Sequence, residues 1–128
     1  MTRQLEESKA VAVAAARAAA AKKGQDTVIL DVGPVLAIAD LFVITSAANA
    51  RQARTVAEEV EARVATALAR RPLRIEGLDD ARWVLMDYGD VIVHILLEDA
   101  RAYYDLERLW ADAAVVAWDD VARAVAGE

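Results

Sequence analysis

Asp87 and His94 are the residues of this chain whose types and spacing come nearest to chemistry. They lie seven positions apart in the apolar stretch WVLMDYGDVIVHIL, residues 83–96, and His94 is the only histidine. A carboxylate beside an imidazole can orient the ring and raise its pKa, which is the arrangement of a general acid–base pair. The remainder of a catalytic set is missing from the sequence. Cysteine is absent, and neither Ser8 nor Ser46 stands in a nucleophile-elbow context. One histidine with scattered acids gives no recognisable metal-ligand set, and Asp79-Asp80 reads as a loop pair. The glycines at 24, 33, 77, 89 and 127 never cluster into a phosphate loop or a dinucleotide fingerprint. Asp87 and His94 therefore read as a structural or interface pair ahead of a catalytic one.

The elements that position them begin with a hairpin. Gly89-Asp90 is a two-residue loop suited to a tight II′ turn, with glycine where φ must be positive. Counting outward sets Tyr88 opposite Val91, Asp87 opposite Ile92, Met86 opposite Val93, Leu85 opposite His94, Val84 opposite Ile95 and Trp83 opposite Leu96. One face then carries Val84, Met86, Tyr88, Val91, Val93 and Ile95 and belongs to a core. The other carries Trp83, Leu85, Asp87, Ile92, His94 and Leu96. It is too apolar for a solvated surface, yet it holds two polar groups that are costly to bury unpaired. That mixture suits the centre of a protein interface, and partial exposure is favoured over cover by a helix of the same chain, because no cationic partner is evident.

Around the hairpin, residues 6–23 are dominated by alanine and close on Lys22, Lys23 and Gly24, which predicts a helix. Alanine buries little area, so this helix is expected to lie on the domain rather than define its core. Strands follow at 27–31 and 41–46, the second introduced by Asp40, with Asp40, Phe42 and Ile44 on one side and Leu41, Val43 and Thr45 on the other. Asn49 and Gln52 resemble a capping box, and Val56, Val60, Val64 and Leu68 recur at steps of four, so a helix runs from there until Pro72 ends it. Its charged residues, Glu58, Glu59, Glu61 and Arg63, read as a solvated surface. LRIEG at 73–77 is a short strand and LDDAR at 78–82 a polar loop. Tyr104, Leu106, Leu109 and Trp110 fit helical turns, ADAAVV at 111–116 loses the pattern, and a short last helix starts near Asp119.

With 128 residues and 57% hydrophobic content, the chain fits one domain with tails. Its formal charge of -6 opposes a surface that must neutralise many phosphates and makes a basic protein the easier partner. The lack of cysteine excludes disulfides and thiolate zinc sites and suits a reducing compartment. The N-terminal stretch makes a poor signal peptide, since Glu6 and Glu7 occupy what should be a basic region and Arg17 interrupts the apolar run. No uncharged apolar segment reaches the roughly 18 residues of a membrane span, so the expected location is the cytoplasm.

Four blocks in order, DLFVITS at 40–46, EG at 76–77, WVLMDYGDVIVHIL at 83–96 and YYDLERLW at 103–110, resemble the ribosomal silencing factor family, also called Iojap-like. The match covers about residues 8–112. The resemblance implies an α+β fold with a mixed β-sheet, similar in outline to nucleotidyltransferases without their catalytic residues. The family domain would occupy residues 1–112, with a C-terminal tail at 113–128. It further implies a translational repressor, without catalytic residues, metal or cofactor. Such a protein docks on a basic protein at the subunit-joining face of the large ribosomal subunit, makes little direct RNA contact, and blocks the small subunit. The free protein would be a homodimer.

Carried onto this sequence, the family pattern falls on Asp40, Trp83, Asp87, His94, Tyr104, Leu106, Glu107, Leu109 and Trp110. Asp87 and Glu107 are then candidates for contacts with basic residues, Trp83 and Leu85 for apolar anchors, and His94 for a polar contact or for orienting Asp87. Trp110 is expected to pack the last helix on the sheet. Ala39 and SAANARQ depart from the family at turns. The alternative is a nucleotidyltransferase-like enzyme acting on nucleotides or RNA ends, and it rests on the fold analogy and the Asp87/His94 pair.

Overall fold

The computed structural model describes residues 2–34 and 39–118. Within them the order is α1 (Thr2–Ala21), β1 (Gln25–Asp31), β2 (Leu41–Ala47), α2 (Ala50–Leu68), β3 (Arg74–Glu76), β4 (Trp83–Asp87), β5 (Val91–Leu97), α3 (Glu98–Tyr104), α4 (Leu106–Leu109) and β6 (Ala114–Val116). The six strands form one sheet in the order β3-β4-β5-β2-β1-β6. Only β2 and β5, at its centre, run parallel; the other neighbours are antiparallel. The fold is α+β with a mixed sheet.

The hairpin pairs in the register counted from its turn, from Asp87 opposite Ile92 to Trp83 opposite Leu96. Gly89 has φ 91, and the Tyr88 N–H donates to the Val91 carbonyl at 2.9 Å, which closes the loop. The six residues assigned to the core face are at most 2% exposed. Alternation in β2 also holds, with Leu41 and Val43 in the core beneath α1 and α2, and Phe42 and Ile44 in a second cluster with Leu96, Ala100 and Leu106. The sheet is thus a middle layer, with the long helices on one face and α3 and α4 on part of the other.

The cap of α2 forms at the predicted residues. Asn49 Oδ1 accepts from the Gln52 N–H at 2.8 Å. Gln52 departs from a standard box: its Oε1 accepts from the Ala48 N–H at 2.7 Å, and its Nε2 donates to the Lys22 and Lys23 carbonyls at 3.1 and 3.0 Å. One side chain therefore starts α2 and ties down the end of α1. The helix closes at Leu68 on Ala69 in the left-handed region (φ 56), ahead of Pro72.

Three expectations need correction. The alanine helix is part of the core: Val11, Ala12, Ala15, Ala16, Ala18 and Ala19 are all fully buried. Small side chains each cover little, but they let α1 approach α2 and the sheet closely, so nearly all of each is covered. The YYDLERLW stretch is two short helices broken at Asp105, which sits at φ 50. ADAAVV, where the sequence pattern is lost, contains β6, which pairs with the free edge of β1. Trp118 follows it and donates from Nε1 to the Thr27 carbonyl at 3.0 Å. The helix expected near Asp119 falls outside the described residues.

Candidate functional site

The mixed face of the hairpin is covered at one end and open at the other. Toward α3, Leu96 and Ile44 are fully buried against Ala100 and Leu106. Away from α3, the sheet carries a groove of about 430 Å³ whose walls include Phe42, Leu73, Leu85, Asp87, Ile92 and His94, with Arg74 at its margin. Trp83, Leu85, Asp87 and Ile92 are half-buried, whereas His94 is 5% exposed. Partial exposure of the face is observed, and His94 is the residue that goes inside.

His94 and Asp87 do not pair. The His94 Nδ1 accepts from the Trp83 indole N–H at 3.1 Å, and the edge of Phe42 meets the ring at a centroid distance of 4.6 Å. Burial pushes its pKa down to about 4, so near neutral pH the ring is uncharged. With Nδ1 accepting, the proton resides on Nε2, and that buried atom has no hydrogen-bond partner among the described residues. Asp87 is held elsewhere. Its Oδ1 accepts from the Gly89 N–H at 2.8 Å, and its Oδ2 lies 3.3 Å from Arg74 Nε. An imidazole held neutral and separated from its carboxylate is not a general acid–base pair.

The rings form a continuous row across this side of the molecule. Tyr103 meets Tyr104 at 5.0 Å, Tyr104 meets Trp83 at 4.7 Å, Trp83 meets His94 at 5.9 Å, and Phe42 meets Trp110 edge-on at 5.6 Å. The outer members are open to solvent: Tyr103 is 79% exposed and Tyr104 44%, with Leu109 at 71% beside them, and Leu73 at 75% stands at the other end of the groove. Exposed apolar surface of this extent, with polar groups set among it, is the composition of an interaction surface.

The remaining site residues of the sequence reading lie in internal networks. Asp40 points to the α1 side of the sheet, not to the groove. Its Oδ2 is 3.3 Å from Ser8 Oγ, which also donates to Asp90 Oδ2 at 2.6 Å. Asp90 in turn holds Arg70 through both carboxylate oxygens, at 2.7 and 3.1 Å. Burial opposes the charge on Asp90, but the hydrogen bonds and charge of Arg70, with the Ser8 hydroxyl, outweigh it and keep its carboxyl below the usual range. Glu107 is 2.5 Å from a terminal nitrogen of Arg101, which also donates to Ser46 Oγ at 2.9 Å and the Gln25 carbonyl at 3.2 Å. That pair clamps α4 to the sheet.

Leu73, Arg74 and Tyr103 belong to the surface, and Phe42 forms its buried floor; none of them stands out in the sequence. For Arg74 the signal existed: it stands opposite Asp87 across β3 and β4, an opposite-charge cross-strand pair. Finding it requires the β3 register, and the loop of residues 77–82 sets none. Among the described residues there is no group of three or more side chains that could hold a metal ion.

Comparison with known proteins agrees with this arrangement. The family model described as "Ribosomal silencing factor during starvation" matches residues 5–128. A relative from Halalkalibacterium halodurans, "Ribosomal silencing factor RsfS", is 41% identical over 100 residues, which is 78% of this chain and 85% of the relative. Its namesake from Bacillus subtilis is 37% identical over 111 residues, 87% of this chain and 93% of the relative. The crystal structure of a Chromobacterium violaceum protein superposes with a TM-score of 0.77 at 30% identity, covering 81% of this chain and 86% of that one. A mouse protein named "Mitochondrial assembly of ribosomal large subunit protein 1" is 27% identical over 109 residues, 84% of this chain and 46% of its own length. The motif blocks, the sheet that carries them and these relatives lead to one conclusion: the chain belongs to the ribosomal silencing factor family.

Proposed function

We propose that the protein represses translation by docking the groove and aromatic row on a basic protein at the joining face of the large ribosomal subunit, and so excludes the small subunit. The observation that carries this reading is the half-exposed face built by Trp83, Leu85, Tyr104 and Ile92 around Asp87, on a chain of net charge -6. Apolar anchors with a carboxylate among them fit a cationic, partly apolar protein surface, and the negative charge disfavours landing on RNA phosphates. The ribosome as the target is supported by the family name, and the large subunit by the name of the mouse relative. Blocking is steric and needs residence rather than turnover, so the off-rate governs the effect. In this reading the site of action is the cytoplasm, where the ribosomes are. Exposed Leu73, Tyr103 and Leu109 favour a homodimer while the surface is undocked.

The test is subunit joining followed on sucrose gradients. Protein added before the subunits are mixed lowers the joined fraction, and Trp83→Ala or Asp87→Lys, each folded, loses the effect. Equal inhibition by wild type and both variants rejects this face.

A further inference from the structure

Arg74 is held differently from the other ion-paired arginines among the described residues. Arg63, Arg70, Arg82 and Arg101 each donate a hydrogen bond to their carboxylates at between 2.5 and 2.9 Å. Arg74 Nε is instead shared between Glu76 Oε2 at 3.2 Å and Asp87 Oδ2 at 3.3 Å, and its side chain is 66% exposed. Its contacts are ion pairs without hydrogen-bond geometry, the weakest kind in water. Asp87 is the opposite case: it is 17% exposed, and the Gly89 N–H fixes its orientation. The acid is built into the groove and the cation on it is loose. Glu76, on the same face of β3, stands ready to keep Arg74 once it leaves Asp87. His94 also lines this groove, and its buried Nε2–H has no acceptor among the described residues, so a partner group reaches it only by entering the groove floor.

Resting on the docking reading above, we propose that Arg74 is the chain's own stand-in for a partner cation. Docking then exchanges it: an extended segment of a basic protein places an arginine or lysine on Asp87 Oδ2, displaces Arg74 to Glu76, and brings a backbone carbonyl to His94 Nε2–H. The spacing fits. Asp87 and His94 are diagonal neighbours on adjacent strands, about 7–8 Å apart in such ladders. That equals about two residues of extended chain at about 3.3 Å each. Glu107 offers no comparable seat, because Arg101, only 11% exposed, already holds it.

The experiment measures Kd for isolated large ribosomal subunits by a fluorescence titration with the full chain, each variant first checked for its fold by circular dichroism. Arg74→Ala is expected to tighten binding about three- to tenfold, because the internal competitor is gone. Arg71→Ala, which removes the same charge from an exposed neighbour, is the control and should change Kd less than twofold. Asp87→Asn should weaken binding about tenfold and abolish the gain from Arg74→Ala. His94→Phe, which keeps a ring but removes both the Nε2–H donor and the Nδ1 acceptor of the Trp83 indole, should also weaken binding about tenfold. Binding that is unchanged or weaker in Arg74→Ala, an equal gain in Arg71→Ala, or a gain that survives Asp87→Asn would overturn the exchange. Unchanged binding by His94→Phe would overturn the carbonyl contact. Wild type that fails to bind large subunits at all would overturn the docking reading itself, an outcome distinct from the others.

Discussion

His94 makes the protein sensitive to mild acid, and the size of the effect follows from its surroundings. The ring is enclosed by Trp83 and Phe42, accepts a hydrogen bond at Nδ1, and has its pKa pushed by burial from 6.5 to about 4. The unfolded chain binds a proton at His94 near pH 6.5, whereas the folded chain does not until about pH 4. Folded-state stability contributed by the neutral ring is therefore fully present above 6.5 and is lost as pH falls toward 4. At about 1.4 kcal/mol per pKa unit, the loss is about 1.4 kcal/mol at about pH 5.5 and about 3 kcal/mol at about pH 4. Urea denaturation across this window measures it. His94→Phe should remove this part of the slope, and an NMR titration of the ring should show no protonation until near pH 4. A His94 that titrates near 6.5, or a variant with the same slope as wild type, would refute the reasoning.

Three further outcomes are expected. Gly77→Ala should destabilise the fold by about 2 kcal/mol or more in urea, because φ is 86 and the added Cβ would lie 2.1 Å from the Trp83 carbonyl oxygen, a backbone atom that cannot turn aside. Asp90→Asn should cost about 2 kcal/mol by weakening the partly buried grip on Arg70. Since the folded Asp90 pKa lies below 3.8, its contribution is present above that value and lost below it, so the variant should show a shallower acid limb in the same denaturation series. Ala15→Leu should cost about 1–3 kcal/mol in a thermal melt, because Ala15 is fully buried in the core formed with α2.

The hairpin was readable because its register is local. A two-residue loop leaves one way to pair, and from it follow the core face and the mixed face. The faces of β2 and the cap of α2 were readable for the same reason, since period and capping act within a few residues. What escaped depends on distant partners. β6 is a three-residue edge strand whose identity comes from the free edge of β1. The core role of α1 comes from a close approach to α2 that alanine permits but does not announce. Asp105 breaks the helix at a non-glycine left-handed residue, and the break sets Glu107 against Arg101.

The site shows the same division. The sequence placed Asp87 and His94 on one face, and cover of that face was disfavoured for want of a cation. The structure resolves the difficulty by separating them: Trp83 donates to a neutral, buried His94, while Arg74 attends Asp87 at the rim. Asp40 looked like a member of the Phe42 and Ile44 face by alternation, but it precedes the strand and turns toward Ser8.

The central claim is that this face binds the large ribosomal subunit, and co-sedimentation tests it directly. Purified protein is centrifuged with isolated large subunits, isolated small subunits and joined ribosomes, each at low and high salt. The account predicts pelleting with large subunits alone, weakened by salt and lost in Trp83→Ala. Pelleting with none of the particles, or equal pelleting of wild type and a folded Trp83→Ala, would contradict it.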